Sequence, residues 1–316
     1  MFMKIKIIKN RSDIGAGTRG SDLGIDAIEI AAINQGNDFF HTHLFQDVET
    51  HNETIYNKNT NTFAKRIEHV FEQCERVATV VKDNLKQGFF PIVLSGDHSS
   101  ALGTISGIKA AKPSSRIGVI WIDAHADLHS PYTSPSGNIH GMPLAAALGF
   151  DNTDCQTNEP GDVTARFWDR MKNIGVAGAK IAASDLIFFG LRDFESAEQY
   201  LISENKIKQY QVAEVRYRGI PVCVEEALKQ LIDCDCIYIS FDVDSMDSDS
   251  VSNGTGTPVP IGFFAGEIKE VIDQFLGSNK VCCIEFTEIN PLLDNKGNKM
   301  AETAFEVLDH IAKKIG

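Results

Sequence analysis

Six short apolar runs recur along the chain and constrain its fold more than any other feature. They are almost continuously apolar and rich in Ile, Val and Phe, and they read KIKIIK (4–9), FFPIVL (89–94), IGVIWI (117–122), LIFFGL (186–191), CIYISF (236–241) and VCCIEF (281–286). A strand without alternating polar residues is buried on both faces, which is typical of a parallel sheet covered by helices. The sequence therefore predicts an α/β fold with a mostly parallel, doubly wound sheet.

Helical patterns lie between these runs. Residues 62–87 carry apolar side chains at helical spacing, with Asn61 or Thr62 available as the N-cap and Gly88 as the stop. The segment 300–315 repeats the spacing, with apolar residues at Ala304, Val307, Leu308 and Ile311.

The stretch 150–182 is the least regular part of the sequence. DNTDCQTNEPGD is typical of a loop, and VTARFWDRMKNIG predicts a short helix. We find no internal repeat, low-complexity tract or Pro/Gly linker that would divide the chain, so we expect a single domain over residues 1–316.

Composition excludes several classes of partner. The formal charge is −13, and the sequence has no basic stripe to neutralise phosphates, which argues against nucleic acid and modestly favours a cationic small molecule. No apolar stretch approaches the roughly 20 residues of a membrane-spanning helix, so we expect no membrane partner. The N-terminal MFMKIKIIKNRSD is too short and too charged for a secretory signal, and seven cysteines without a CxxC pattern indicate reduced thiols. We therefore expect a cytoplasmic protein.

Four of the apolar runs end in clusters of acidic residues and histidines. The segments that follow them are SGDHS, DAHAD, FDVDSMD and TEINP. Because ligands bind beyond the carboxyl ends of parallel strands, we expect one edge of the sheet to gather eight side chains. These are Asp97, His98, Asp123, His125, Asp127, Asp242, Asp244 and Glu288.

A single Asp after a strand is often only a turn residue or a helix N-cap, and a lone His is often a hydrogen-bonded structural residue. DxHxD is different, because residues two apart on an extended segment share one face, and DVD repeats the arrangement. Carboxylates gathered at one edge would repel one another severely unless cations neutralised them. The set therefore predicts a metal site.

The donor types indicate which metal. Carboxylate-rich sites with few imidazoles and no thiolates suit Mn²⁺ or Mg²⁺ better than structural Zn²⁺. Four carboxylates and two histidines are too many for one ion with an open position, but they fit two ions roughly 3.5–4 Å apart. Such a pair lowers the pKa of a shared water from about 15.7 to near neutrality and so supplies a hydroxide nucleophile. The predicted reaction class is hydrolysis.

Together these segments resemble the arginase and agmatinase (ureohydrolase) family. The resemblance rests on SGDHS, DAHADLHSPYTSPSGNIHG, SFDVDSMD with GTGTPVP, and EINP, and also on GAGTRGSDLGIDAI and GLRDFESAE. SGNIHG with EINP is more similar to arginases than to agmatinases. The resemblance implies a three-layer α/β/α fold, two Mn²⁺ per chain, and attack of a metal-bridging hydroxide on the guanidino group of L-arginine, giving L-ornithine and urea. It also implies a homo-oligomer, either a trimer or a hexamer.

The same resemblance implies roles for individual residues. One ion would be held by His98, Asp123, Asp127 and Asp242. The other would be held by His125, Asp123, Asp242 and Asp244, so that Asp123 and Asp242 bridge. The amino-acid end of the substrate would meet Ser134, Ser136 and Asn138, together with the carboxylates Asp193, Glu195 and Glu198.

His140 and Glu288 would complete the catalytic set with the ligand Asp127. His140 matches the histidine that passes protons to the leaving amine, and a histidine titrating near neutrality suits that role. Glu288 matches the carboxylate that pairs with the substrate guanidinium, a permanently charged group whose natural partner is a buried carboxylate. The alternative for His140 is a hydrogen-bonded loop histidine without a catalytic role. The alternative for Glu288 is a solvated turn residue or a salt-bridge partner.

Three positions depart from the family pattern. His129 stands where arginases usually have Asn and bears on the substrate α-carboxylate, although it could instead be a solvent-facing residue at the rim. Glu195 stands where arginases have the Asp that contacts the α-amino group. Ser95 stands where many relatives have Gly, which we expect to be a mild change.

These departures leave alternative functions open. The first is hydrolysis of another guanidino or amidino substrate, such as agmatine, a guanidino acid or formiminoglutamate. A non-catalytic metal-binding relative is a distant third, although all the expected ligands are intact. A deacetylase on the related fold would use one Zn²⁺ and lack the second Asp/His set.

Overall fold

The predicted apolar runs form strands of one parallel sheet in the computed structural model, which describes residues 4–316. The strands are β1 (Lys4–Asn10), β2 (Leu44–Asp47), β3 (Phe89–Ser95), β4 (Ile117–Ile122), β5 (Leu186–Phe189), β6 (Lys208–Tyr210), β7 (Cys236–Asp242) and β8 (Val281–Thr287). Their order is β2-β1-β3-β8-β7-β4-β5-β6, and every neighbouring pair is parallel. The predicted α/β class with its parallel sheet is confirmed. Residues 1–3, with which the expected single domain begins, lie outside the described residues.

Helices cover both faces of the sheet and give the three α/β/α layers. They are α1 (Gly24–Asn34), α2 (Phe39–Thr42), α3 (Ile67–Lys86), α4 (Ala101–Ala111), α5 (Pro143–Leu148), α6 (Asp162–Lys172), α7 (Ser196–Glu204), α8 (Val212–Arg218), α9 (Ile220–Gln230), α10 (Ala265–Leu276) and α11 (Lys299–Ile315). One core contains residues of α1, α9, α10 and α11, and the other contains residues of α3, α4, α5 and α6. Within residues 4–316, no helix combines the length and apolarity needed to cross a membrane.

Alternate strand residues point into opposite cores, which explains why the strands read as continuous apolar runs. In β4, Ile120 and Ile122 belong to one core, while Val119 and Trp121 belong to the other. All four side chains are fully buried. A strand in this position has no solvent-facing side on which a polar residue would be favoured.

The edge strands β2 and β6 were not predicted from the sequence. They contain four and three residues, and most of those residues are exposed or half-buried, so neither produces an apolar run. The strand predicted over 186–191 ends at Phe189 instead, because Gly190 turns the chain with a φ of 92°.

The predicted start of the long helix is wrong. Helix α3 begins at Ile67 rather than at 62, after Arg66 in a left-handed conformation with a φ of 58°. Asn61 does not cap the helix, and its amide donates to the Glu68 carboxylate at 2.9–3.0 Å. The end is as expected, with Gly88 at a φ of 81° two residues after the last helical residue. The predicted helices in 163–175 and 300–315 are present as α6 and α11.

Candidate active site

Four neighbouring strands in the middle of the sheet, β3, β8, β7 and β4, end at one cavity of about 290 Å³. Each strand is followed by one of the polar segments singled out in the sequence. With the exception of Asp97, the candidate site residues named above line the cavity: His98, Asp123, His125, Asp127, His129, Ser134, Ser136, Asn138, His140, Asp193, Glu195, Glu198, Asp242, Asp244 and Glu288. The structure therefore brings together segments that lie up to 190 positions apart in sequence, as between His98 and Glu288.

Asp97 is placed differently from its neighbours. Its Oδ1 accepts a hydrogen bond from Ser99 N at 2.8 Å, and its Oδ2 accepts one from Gly15 N at 2.9 Å. Asp97 thus caps the short turn that carries His98 and fixes the 11–20 segment against it. Because Asp97 does not line the cavity, the alternative of a turn-capping aspartate is correct for it.

The first cluster consists of His98, Asp123, Asp127 and Asp242. His98 Nδ1 lies 3.0 Å from the Oδ2 atom of each of the three aspartates. One ring nitrogen carries at most one hydrogen and cannot donate to three oxygens. Among the described residues, His98 Nδ1, Asp123 Oδ2 and Asp127 Oδ2 are buried without a hydrogen-bond partner. Buried polar atoms that converge on one point but do not hydrogen-bond to one another are expected where a cation binds.

The second cluster consists of His125, Asp123 and Asp244. His125 Nδ1 lies 2.9 Å from Asp244 Oδ2 and 3.6 Å from Asp123 Oδ1. Asp123 therefore directs one oxygen to each cluster, which is the geometry of a bridging carboxylate. Asp242 lies between the clusters as well, because its Oδ1 accepts a hydrogen bond from Asp244 N at 2.8 Å.

Thr257 is a lining residue that sequence reasoning missed. Its hydroxyl donates to Asp244 Oδ2 at 3.2 Å and orients that carboxylate. The available signal was its place in GTGTPVP (254–260), a short distance after the FDVDSMD segment (241–247).

The electrostatics of the clusters also favour a cation. Burial, together with repulsion from Asp244 and Asp123, raises the pKa of Asp242 well above its ordinary value. Burial and repulsion from Asp123 raise the pKa of Asp127 to about 6. Burial opposes the charge of His98, but the three surrounding aspartates outweigh it and raise the pKa of that imidazole. Divalent ions would supply the positive charge that these carboxylates require.

Glu288 and His140 form a pair beside the first cluster. Glu288 Oε1 accepts a hydrogen bond from His98 N at 2.9 Å and lies 3.1 Å from His140 Nδ1. Glu288 lines the cavity, and its Oε2 accepts no hydrogen bond from residues 4–316. Glu288 is only 2% exposed, so the alternative of a solvated turn residue is wrong. Burial opposes the charge of His140, but Glu288 outweighs it and raises the pKa of His140 to about 9.

Hydrogen-bond donors line one side of the cavity mouth, at the loop 134–138. The Ser134 hydroxyl oxygen accepts from Gly137 N at 2.9 Å, and the Ser136 hydroxyl oxygen accepts from Asn138 N at 3.1 Å. Both hydroxyl hydrogens therefore stay available to a ligand. Lys65 Nζ donates to Asn138 Oδ1 at 3.1 Å and orients its amide. This side suits a carboxylate.

Acidic side chains line the other side of the mouth. Glu198 is buried, and it accepts hydrogen bonds from Leu128 N and Glu195 N, each at 3.0 Å. Glu195 and Asp193 are exposed, with side-chain exposures of 58% and 67%. Three carboxylates in this position suit an ammonium group.

His129 contacts these acidic side chains rather than solvent. It is buried, so the alternative of a solvent-facing rim residue is wrong. His129 Nε2 lies 2.9 Å from Glu195 Oε2 and 3.5 Å from Glu198 Oε2, while Nδ1 lies 3.1 Å from Thr133 Oγ1. Both ring nitrogens are therefore engaged within the protein.

Comparisons with known proteins agree with this geometry. A model of the arginase family matches residues 3–313. The arginase of Brevibacillus brevis is 34% identical over 325 residues, covering 98% of each chain. The arginase of Bacillus subtilis strain 168 is 33% identical over 316 residues, covering 99% of each chain. The solved structure of the arginase from Bacillus caldovelox superposes with a TM-score of 0.83 at 32% identity, covering 98% of each chain.

Proposed function

This chain belongs to the arginase family, and we propose on that basis that it hydrolyses L-arginine to L-ornithine and urea. One observation carries the proposal: two ligand clusters share Asp123, and Glu288, whose Oε2 accepts no hydrogen bond from residues 4–316, lines the same cavity. A carboxylate in that position suits a guanidinium held beside a metal pair.

The cofactor in this proposal is two Mn²⁺ per chain. His98, Asp123, Asp127 and Asp242 would hold one ion, and His125, Asp123, Asp242 and Asp244 would hold the other. The donors are mainly carboxylate oxygens with one imidazole for each ion, a set that suits Mn²⁺. When bound, the two ions would supply an activated water for hydrolysis.

The remaining residues bind and orient the substrate. Glu288 Oε2 accepts from the guanidinium, while Oε1 stays bonded to His98 N and holds the carboxylate in place. Ser134, Ser136 and Asn138 donate to the α-carboxylate. Asp193, Glu195 and Glu198 accept from the α-ammonium.

His140 is the proton donor in this proposal. Its Nδ1 is engaged by Glu288, so Nε2 carries the proton that the leaving nitrogen receives. Because Glu288 also keeps the imidazole charged, one carboxylate serves both the substrate and the acid.

The proposal also includes a cytoplasmic location and a homo-oligomer, a trimer or a hexamer. Light scattering after size-exclusion chromatography gives the number of chains directly. A monomer at micromolar concentration would contradict this part alone.

Urea release by the purified, manganese-loaded protein tests the proposed function. L-Arginine and agmatine are compared at equal concentrations, with the Asp127→Ala variant as the inactive control. We expect urea from L-arginine and much less from agmatine, which lacks the α-carboxylate. Equal rates on both compounds would contradict the arginase assignment and favour a broader guanidino hydrolase.

A further inference from the structure

We infer that Glu285, a fully buried carboxylate beneath the cavity, is a positioning residue that holds His98 in place for the first cluster. This inference rests on the proposed function, because it concerns the ion that His98 would bind. Glu285 does not line the cavity and would not touch the substrate. It acts through other side chains.

Glu285 is held by hydroxyl groups alone. Its Oε1 accepts from Ser95 Oγ at 2.6 Å, and its Oε2 accepts from Tyr238 OH at 2.6 Å. The residue is 0% exposed, and no Lys or Arg among residues 4–316 forms an ion pair with it. Burying a carboxylate without a cationic partner is costly. The other residues of β8 are apolar except for the terminal Thr287, so the position of Glu285 in this strand needs a reason beyond packing.

One connection runs to the ring of His98. Ser240 on β7 pairs in register with Glu285 on β8 and with Trp121 on β4, so the three side chains share one face of the sheet. Ser240 Oγ lies 2.7 Å from His98 Nε2, and the Trp121 indole stacks on the imidazole with centroids 4.2 Å apart and planes at 5°. Tyr238, which donates to Glu285, is on the same strand two residues before Ser240.

A second connection runs to the backbone turn that carries His98. Asn10 Nδ2 donates to Ser100 Oγ at 2.7 Å and lies 3.4 Å from Ser95 Oγ. Ser100 belongs to the turn His98–Ser100, and Ser95 donates to Glu285. The polar side chains around Glu285 thus hold both the imidazole ring of His98 and the backbone turn His98–Ser100.

This arrangement fixes which nitrogen His98 presents to the first cluster. With Nε2 bonded to Ser240 and one ring face covered by Trp121, Nδ1 is the atom directed at Asp123, Asp127 and Asp242. Partners behind a metal-binding histidine commonly change metal affinity 10–100-fold. We expect Glu285 to act in this way through its hydrogen-bonded neighbours.

The test is Mn²⁺ binding to the full-length protein, measured by equilibrium dialysis and calorimetry. Glu285→Gln keeps the side-chain shape but replaces one of the two acceptor oxygens by an NH2 donor, so that Ser95 and Tyr238 can no longer both donate to it. We expect one of the two Mn²⁺ to bind roughly 10–100-fold more weakly and the other to keep its affinity. Urea release should fall at limiting Mn²⁺ and recover in excess Mn²⁺.

Asp185→Asn is the matched control. Asp185 is also a buried carboxylate, and it accepts two hydrogen bonds from Arg116 at 2.7 Å. It precedes β5 and so lies at the amino end of that strand, whereas the cavity lies at the carboxyl ends of the strands. The Asp185→Asn variant should have a lower melting temperature than the unmodified protein but the same two Mn²⁺ affinities. If Glu285→Gln does not fold, Tyr238→Phe, which removes one donor, should weaken the same single ion.

Two outcomes would overturn the inference. In the first, Glu285→Gln or Tyr238→Phe keeps both Mn²⁺ affinities within twofold of those of the unmodified protein. In the second, either variant weakens the binding of both ions equally, which would indicate a general effect on the fold rather than an effect on His98. An unmodified protein that binds no Mn²⁺ pair would instead contradict the proposed function, so the two failures are distinguishable.

Discussion

At the residue scale, the side chains of His129 and Glu195 contact each other at hydrogen-bonding distance on the acidic side of the cavity mouth. The contact of 2.9 Å engages the nitrogen with which His129 would otherwise donate to a substrate carboxylate. It also occupies one oxygen of Glu195, which would otherwise accept from an ammonium. The two departures from the arginase pattern therefore form one interacting pair and are best tested together.

Glu195→Asp should raise kcat/KM for L-arginine. The shorter side chain withdraws from His129 and restores the carboxylate that arginases usually carry at this position. His129→Asn and the double variant complete a cycle, and contacting residues typically couple by about 0.5–3 kcal/mol. Steady-state urea release measures all four proteins. An unchanged kcat/KM in Glu195→Asp would mean that Glu195 does not contact the substrate.

His140→Asn should lower kcat by roughly 10²–10⁴-fold, the usual range for loss of a general acid. Both Mn²⁺ should remain bound, because no atom of His140 belongs to either cluster. Metal analysis accompanies the kinetics. Loss of an ion together with activity would make His140 a ligand rather than a proton donor.

The pKa of His140 gives a pH-dependent prediction. The contribution of its ion pair with Glu288 should be fully present below about 6.5, the ordinary histidine value. It should be lost as the pH rises through about 9, because the folded-state pKa is raised. NMR titration of the metal-free protein measures this value. Glu288→Gln should bring the pKa of His140 down, and an unchanged value would remove Glu288 as the cause.

At the scale of secondary-structure elements, the site is built where strands end in strained turns. Asp127 and Glu288 have φ values of 51° and 66°, a left-handed conformation that is uncommon for residues with a side chain. Asp123 and Glu288 lie just beyond β4 and β8, so short segments direct several polar groups into one cavity. Two of the non-glycine residues in this conformation therefore lie where the carboxylates converge.

Asp127→Gly should therefore give a more stable metal-free protein than Asp127→Ala. Both variants lose the same carboxylate, but only glycine adopts the left-handed conformation without steric cost. The difference should be about 1 kcal/mol after allowing for the greater flexibility of glycine in the unfolded chain. Urea denaturation without Mn²⁺ measures it. Equal stabilities would show that residue 127 is not strained.

What the sequence predicted at this scale follows from burial. β3, β4, β7 and β8 were predictable because both of their faces are covered, while β2 and β6 were not, because edge strands expose their residues. The start of α3 was missed because Asn61 bonds to a side chain in the first turn instead of capping the helix. Glu285 and Ser240 were not singled out, since only the register of β7 and β8 brings them near His98.

At the scale of the whole molecule, the sheet order decides that there is one site. β3 and β4 are consecutive among the predicted runs, yet β8 and β7 lie between them in the sheet. The sequence indicated that the polar segments share an edge, but it could not supply this order. Placing the last two predicted strands in the centre brings Asp242, Asp244 and Glu288 against His98 and Asp123.

Anomalous diffraction at the manganese edge, from crystals of Mn²⁺-saturated protein, would locate the proposed metal pair. We expect two peaks roughly 3.5–4 Å apart, one at each cluster with the Asp123 carboxylate between them. A single peak, or none within reach of these carboxylates, would contradict the proposed metal pair.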